Sequence, residues 1–229
     1  MDARTTNTVQ TADRVSAFLW KVYGWMAVGL GLTAIVAFAV AGSPDLLRVL
    51  VGNRLVFFAL VIAELGLVFF LSARADRLAP GTAAGLFALY SALNGVTLSV
   101  ILLAYTGESV TMTFVVTAGM FGALALYGST TKRSLAGAGQ FFMMGLIGLI
   151  LASIIGMFWH NNALQFLISV VGVIVFTGLT AWDAQRLRQM ALALAEGQAG
   201  SYAIVGALSL YLDFVNLFLM LLRFTGRRD

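Results

Sequence analysis

The 229-residue sequence has no cysteine, two prolines, one histidine and only 10% charged residues. The lack of cysteine excludes thiol chemistry, structural disulfides and cysteine-based metal sites, and leaves the redox compartment undetermined. The shortage of charge excludes more. Ordinary globular chains carry about 25% charged residues, and a shell this poor in charge cannot solubilise a chain that is 60% hydrophobic with a mean hydropathy of +0.94. A soluble catalytic domain and a secreted disulfide scaffold are therefore excluded. So is a nucleic-acid reader: the net charge is +4, but the 14 basic residues are scattered along an apolar chain and form no binding stripe. In a membrane protein such residues orient the loops. The residues before Ala17 mix acids, bases and threonines without the order of a signal peptide.

Apolar runs are abundant. At about 20 residues per helix, the sequence accommodates seven spans, predicted near Leu19–Ala41, Leu55–Ala73, Gly81–Ala104, Val110–Gly128, Leu135–Trp159, Ala163–Asp183 (with room to continue toward Leu194) and Tyr202–Leu222. Gly42-Ser43-Pro44-Asp45 reads as a turn, His160-Asn161-Asn162 as the break in a long uncharged stretch, and Gly197 and Gly200 as the approach to the last span. Gly81 and Gly85 have the spacing that lets helices approach closely. Strict alternation of apolar and polar residues is absent, so a membrane barrel is not indicated. The predicted organisation is a polar tail over residues 1–18, an all-α seven-helix membrane domain over 19–222 and a basic tail over 223–229.

Basic residues fall unequally on the two sides. Arg4, Arg14, Lys21, Arg74, Arg77, Lys132, Arg133, Arg186 and Arg188 share one side, against Arg48, Arg54, Arg223, Arg227 and Arg228 on the other. This predicts a cytoplasmic N-terminus and an outward C-terminus. If one apolar segment were re-entrant, both ends would share a side.

Acids within spans carry most of the remaining information, because a charge near a helix centre costs roughly 2.5–3.5 kcal/mol on insertion scales and usually faces a cavity or a partner. Asp213 lies near the middle of the last span, in one stripe with Tyr202, Gly206, Ser209 and Asn216; packing glue is the plainer reading of this acid. Asp183 lies toward the end of the span before it, where an ion pair with Arg186 or Arg188 is an equal alternative. Glu64 sits mid-span in the second helix, with Arg74 about 15 Å further along, where simple positive-inside anchoring is the plainer role. Asn94, Thr97 and Ser99 add polar groups that line a path or bond between helices. His160 receives no role, no set of histidines and carboxylates suggests a catalytic metal, and Ser209 has no histidine base nearby. Enzymatic signatures are absent.

The segment Ala207-Leu208-Ser209-Leu210-Tyr211-Leu212-Asp213-Phe214-Val215-Asn216-Leu217-Phe218, followed by Leu221-Leu222-Arg223, strongly resembles the last helix of the transmembrane Bax inhibitor motif family. So does Thr180-Ala181-Trp182-Asp183-Ala184-Gln185 in the preceding helix, and, more weakly, Tyr127-Gly128-Ser129-Thr130-Thr131-Lys132-Arg133. Ser134 departs from relatives that carry an acid there. The resemblance implies a bundle whose last helix is wrapped by the other six, and a pH-sensitive calcium leak channel. It further implies that Asp183 and Asp213 form a di-aspartyl sensor, sharing a proton and titrating as a pair, with Arg74, or its rival Arg77, as the basic latch. On this reading Glu64, Asn94, Ser209 and Asn216 are expected to line the path or touch the cation. Calcium, which prefers several oxygen ligands, is expected as permeant ion and not as cofactor. Two alternatives stand beside it. One is a non-conducting regulator of a membrane-bound AAA protease, the other a proton-coupled cation exchanger. High Ala, Leu and Arg with little Lys suggests a GC-rich bacterial genome, and hence a bacterial inner membrane.

Overall fold

A computed structural model describes residues 3–75, 77–159, 161–194 and 199–227. The expected break residue His160, Gly197 before the last helix, and Arg228 of the basic tail lie outside the described residues. The elements are α1 (Ala3–Ala41), α2 (Pro44–Gly52), α3 (Arg54–Ala73), α4 (Pro80–Leu102), α5 (Gly107–Thr130), α6 (Ala136–Phe158), α7 (Asn162–Ala193) and α8 (Ala199–Thr225). Seven of these, all but α2, are long and apolar enough to cross a membrane.

Two boundaries differ from the sequence expectation. The tail expected over residues 1–18 is helical from Ala3, so it is one element with the first span. It holds no glycine or proline, and a helix already nucleated by the apolar segment propagates through it. Pro44 starts a helix where a turn was expected: it occupies the first turn of α2, where its missing N–H costs nothing, with Asp45 favourably at the N-terminal end. Asn53 separates α2 from α3 and caps the latter, its side chain accepting from the Leu55 and Val56 N–H groups. The sixth span does continue past Asp183, to Ala193, as the sequence allowed.

The chain forms two compact units, residues 1–104 with 190–211 and residues 105–189 with 212–229. In the first, α1 meets α4 through glycine. A Cβ on Gly95 would stand 2.6 Å from the Thr33 carbonyl, and one on Gly29 would strike the Phe87 ring. Phe87 and Tyr90 of α4 hold the Tyr211 ring edge-on, at 5.7 and 5.6 Å between centroids. Ser201 donates to the Leu78 carbonyl at 2.6 Å. Gly81 and Gly85 have no neighbour within 4 Å of a built Cβ, so the close approach expected of them is made by Gly29 and Gly95 instead.

In the second unit, Leu149, Ile168, Val175, Phe176, Leu179, Leu217, Met220 and Leu221 form the core. Phe214 receives the edges of Phe114 and Phe121, each at 5.5 Å. Gly128 lies directly against the Ala181 backbone, and Gly178 against the Phe142 ring. Two of the segments that carry the family resemblance are therefore in contact.

Candidate functional site in two buried polar clusters

Polar side chains turn inward in both units. In α3 only Glu64 and Leu71 are buried, so the acid of a nearly all-apolar helix faces protein. Large hydrophobics such as Leu55, Ile62 and Phe69 point outward on the same helix. This arrangement suits a lipid environment, where burying a polar group against a partner is favoured over exposing it to hydrocarbon.

The cluster of the first unit is built around Glu64. Thr97 donates to Glu64 Oε1 at 2.5 Å, and Asn94 Nδ2 approaches Oε2 at 3.4 Å. Asn94 Oδ1 accepts from the Tyr211 hydroxyl at 3.0 Å. The hydroxyls of Tyr211 and Thr33 are 2.6 Å apart, and Thr33 Oγ1 lies 2.8 Å from the Ser91 carbonyl. Of the four residues expected to line the path, Glu64 and Asn94 are brought together, as partners in a closed network. Ser209 is half-buried on α8. Arg74 caps the C-terminal end of α3, its guanidinium 5.4 Å from the Phe70 ring centroid, a cation–π distance. Arg74 and Arg77 belong to the first unit, and the two aspartates to the second.

The cluster of the second unit contains Asp183 and Asp213. Both are buried, and Asp183 lies close enough to act electrostatically on Asp213. Asp213 sits at the middle of the 27-residue α8. Its Oδ2 is buried without a hydrogen-bond partner among the described residues, a costly state for a carboxylate oxygen. Asp183 is ten residues inside α7. Arg186 is exposed and lies 5.7 Å from the Trp182 ring centroid. Asn216 donates to the Leu212 carbonyl of its own helix at 2.8 Å, an arrangement that does not aim its amide at the aspartates. The stripe drawn from sequence is therefore divided: Gly206 and Asp213 are buried, while Tyr202, Ser209 and Asn216 are half-buried.

Sequence reasoning missed Tyr211, Thr33 and Gln185. Gln185 accepts from the Leu135 N–H and donates to the Arg133 carbonyl, both at 2.8 Å, tying α7 to the connection before α6. Its signal was available, since a glutamine two residues after a membrane acid needs a partner as much as the acid does. Tyr211 and Thr33 gave weaker signals, because either could have faced lipid headgroups or a neighbouring helix equally well.

Seven apolar helices, outward-facing hydrophobics and carboxylates enclosed by protein define a polytopic helical membrane protein. The family model described as Inhibitor of apoptosis-promoting Bax1 matches residues 15–229, and the chain belongs to this Bax inhibitor family. It is 48% identical over 228 residues to the inner membrane protein YbhL of Escherichia coli K12, covering 98% of this chain and 97% of that protein. It is also 38% identical over 218 residues to a membrane protein of Streptococcus pyogenes serotype M1, covering 94% of each. A third relative, from Borreliella burgdorferi, is 43% identical over 213 residues and covers 92% of each chain.

Proposed function

We propose that the protein is a pH-controlled cation leak pathway of a bacterial inner membrane, with calcium as the permeant ion and the Asp183–Asp213 pair as its proton-operated gate. The observation that carries this reading is the burial of two interacting carboxylates on α7 and α8, one with an oxygen that has no hydrogen-bond partner among the described residues. Like charges in a low-dielectric site resist simultaneous ionisation, so such a pair binds and releases a proton as a unit. Gain of the proton removes charge from the α7–α8 contact and opens the path; loss of it closes the path. Family membership and the similarity to an inner membrane protein support the setting.

The test is calcium efflux from liposomes containing only the purified protein, followed across pH with sodium and potassium compared. Asp183→Asn and Asp213→Asn are each expected to abolish the pH dependence while the protein remains folded. An unaltered pH response in both variants would sink the gate assignment. The alternative, a non-conducting regulator of a membrane-bound AAA protease, draws support from α1, whose 39 residues give about 58 Å of helix against the ~30 Å of a bilayer core. It predicts no flux from pure liposomes, co-purification of a protease, and loss of that association when the N-terminal residues are deleted.

A further inference from the structure

The network around Glu64 contains four polar contacts in series: Glu64 to Asn94, Asn94 to Tyr211, Tyr211 to Thr33, and Thr33 to the Ser91 carbonyl. Each contact needs one hydrogen. With Glu64 ionised, the series holds three: one from the Asn94 amide and one each from the Tyr211 and Thr33 hydroxyls. One contact must then be empty. Thr33 donates to Tyr211, Tyr211 to Asn94 Oδ1, and Asn94 Nδ2 to Glu64, so every donor points toward the carboxylate and the Ser91 carbonyl gives up the Thr33 hydroxyl. A fourth hydrogen, carried by Glu64, completes the series in the opposite sense. The Asn94 amide makes a half-turn, which exchanges its oxygen and nitrogen at almost no change in shape. Glu64 then donates to Asn94 Oδ1, Asn94 Nδ2 to Tyr211, Tyr211 to Thr33, and Thr33 to the Ser91 carbonyl.

From this count we propose that Glu64 is a proton-binding centre separate from the aspartate pair, and that Asn94, Tyr211 and Thr33 form a relay whose direction reverses when Glu64 gains or loses its proton. The occupant of the site is a proton and not a metal cation. Both carboxylate oxygens are engaged by Thr97 and Asn94, and Glu64 makes no ion pair among the described residues. The groups facing Glu64 are consistent with this. From α4 they are Tyr90, Asn94 and Thr97, and from α8 Tyr211; Thr33 of α1 joins through Tyr211. The charged residues of α2, Asp45 and Arg48, pair with each other at the surface. The relay carries the state of Glu64 on α3 to a fully buried tyrosine on α8, through hydrogen atoms and the half-turn of one amide and without movement of a helix.

Infrared difference spectroscopy on pH change tests the relay, using full-length protein in vesicles with Asp183→Asn and Asp213→Asn in place so that the gate carboxyls are silent. The expected result is one carboxylic C=O band that disappears as pH rises, with a tyrosine C–O band shifting at the same midpoint. Glu64→Gln is expected to remove both. Asn94→Leu is expected to keep the carboxyl band and lose the tyrosine shift, because the link is cut. If the doubly substituted chain does not fold, the same bands are read in the unaltered sequence by subtracting the Tyr211→Phe and Glu64→Gln spectra. A Glu64 carboxyl band that titrates with no tyrosine response would overturn the relay, and no titrating band assignable to Glu64 would overturn the proton site. Neither result bears on the gate, which is read by flux.

Discussion

A single methyl group separates two kinds of glycine in this protein. Gly95 and Gly85 lie on the same helix, yet a Cβ on Gly95 meets the Thr33 carbonyl at 2.6 Å and one on Gly85 meets nothing within 4 Å. A carbonyl in a neighbouring helix cannot move aside as a flexible side chain can, so Gly95→Ala forces α1 and α4 apart. The expected loss is about 1–3 kcal/mol, the usual range for overpacking, read as a lowered midpoint of thermal unfolding in detergent. Gly85→Ala is expected to be neutral or to gain up to ~1 kcal/mol from helix propensity. Equal effects of the two substitutions would contradict the packing described. The acids follow a related logic. Glu64, Asp183 and Asp213 stand out in the sequence because a carboxylate in an apolar run demands an explanation, but nothing local says that Glu64 meets Thr97 and Asn94 or that Asp183 lies beside Asp213.

Helix ends show where local signals failed. Leu135, the residue before α6, offers no side-chain cap, and a helix start normally needs an acceptor for its free N–H groups. Ser134 accepts from the Ala136 N–H at 3.4 Å, and Gln185, fifty residues away, accepts from the Leu135 N–H at 2.8 Å. Gln185→Ala is expected to raise amide hydrogen exchange over residues 135–139 while α8 keeps its protection, since two hydrogen bonds worth about 1 kcal/mol each are removed from one end of one helix. Loss of protection throughout α8 would show instead that Gln185 supports the whole unit. The sequence left the end of α7 open between Asp183 and Leu194, and it falls at Ala193. Its last ten residues hold Arg186 and Arg188, which mark the edge of the apolar run but impose no break, because arginine is a good helix former. Pro44 likewise signals a break but specifies equally well the first turn of a helix, and only the downstream Leu47 to Leu50 packing distinguishes the two: Leu50 is buried.

At the scale of the molecule, large apolar residues face outward as well as into the core, while the acids of the spans lie inside. In α3 and α6 only 11% of the apolar window is buried, against 72% in α8. A hydrophobic residue gains nothing by leaving lipid for protein, whereas a polar one does, and α8, which carries Asp213, is the most buried of the seven. The absence of cysteine now becomes useful, since every introduced thiol can be read without background. Ala79→Cys and Lys132→Cys, both at exposed positions, are expected to react with a membrane-impermeant thiol reagent only from the cytoplasmic side. Asp45→Cys and Glu108→Cys, also exposed, are expected to react only from the other. Labelling with the two sides exchanged would refute the orientation inferred from nine basic residues against five.

The sequence alone determined that the chain crosses a membrane and how many helices do so, because transfer into a bilayer is close to a sum over neighbouring residues and leaves its record in each apolar run. Tertiary structure decided which faces those helices present. Whether Gly95 or Gly85 receives a neighbour, whether Gln185 caps a distant helix, and whether Glu64 finds Asn94 and, through it, Tyr211 all depend on rotation and depth relative to helices far away in the chain. Hydrogen bonds reach only about 3 Å, so no local pattern could have announced them.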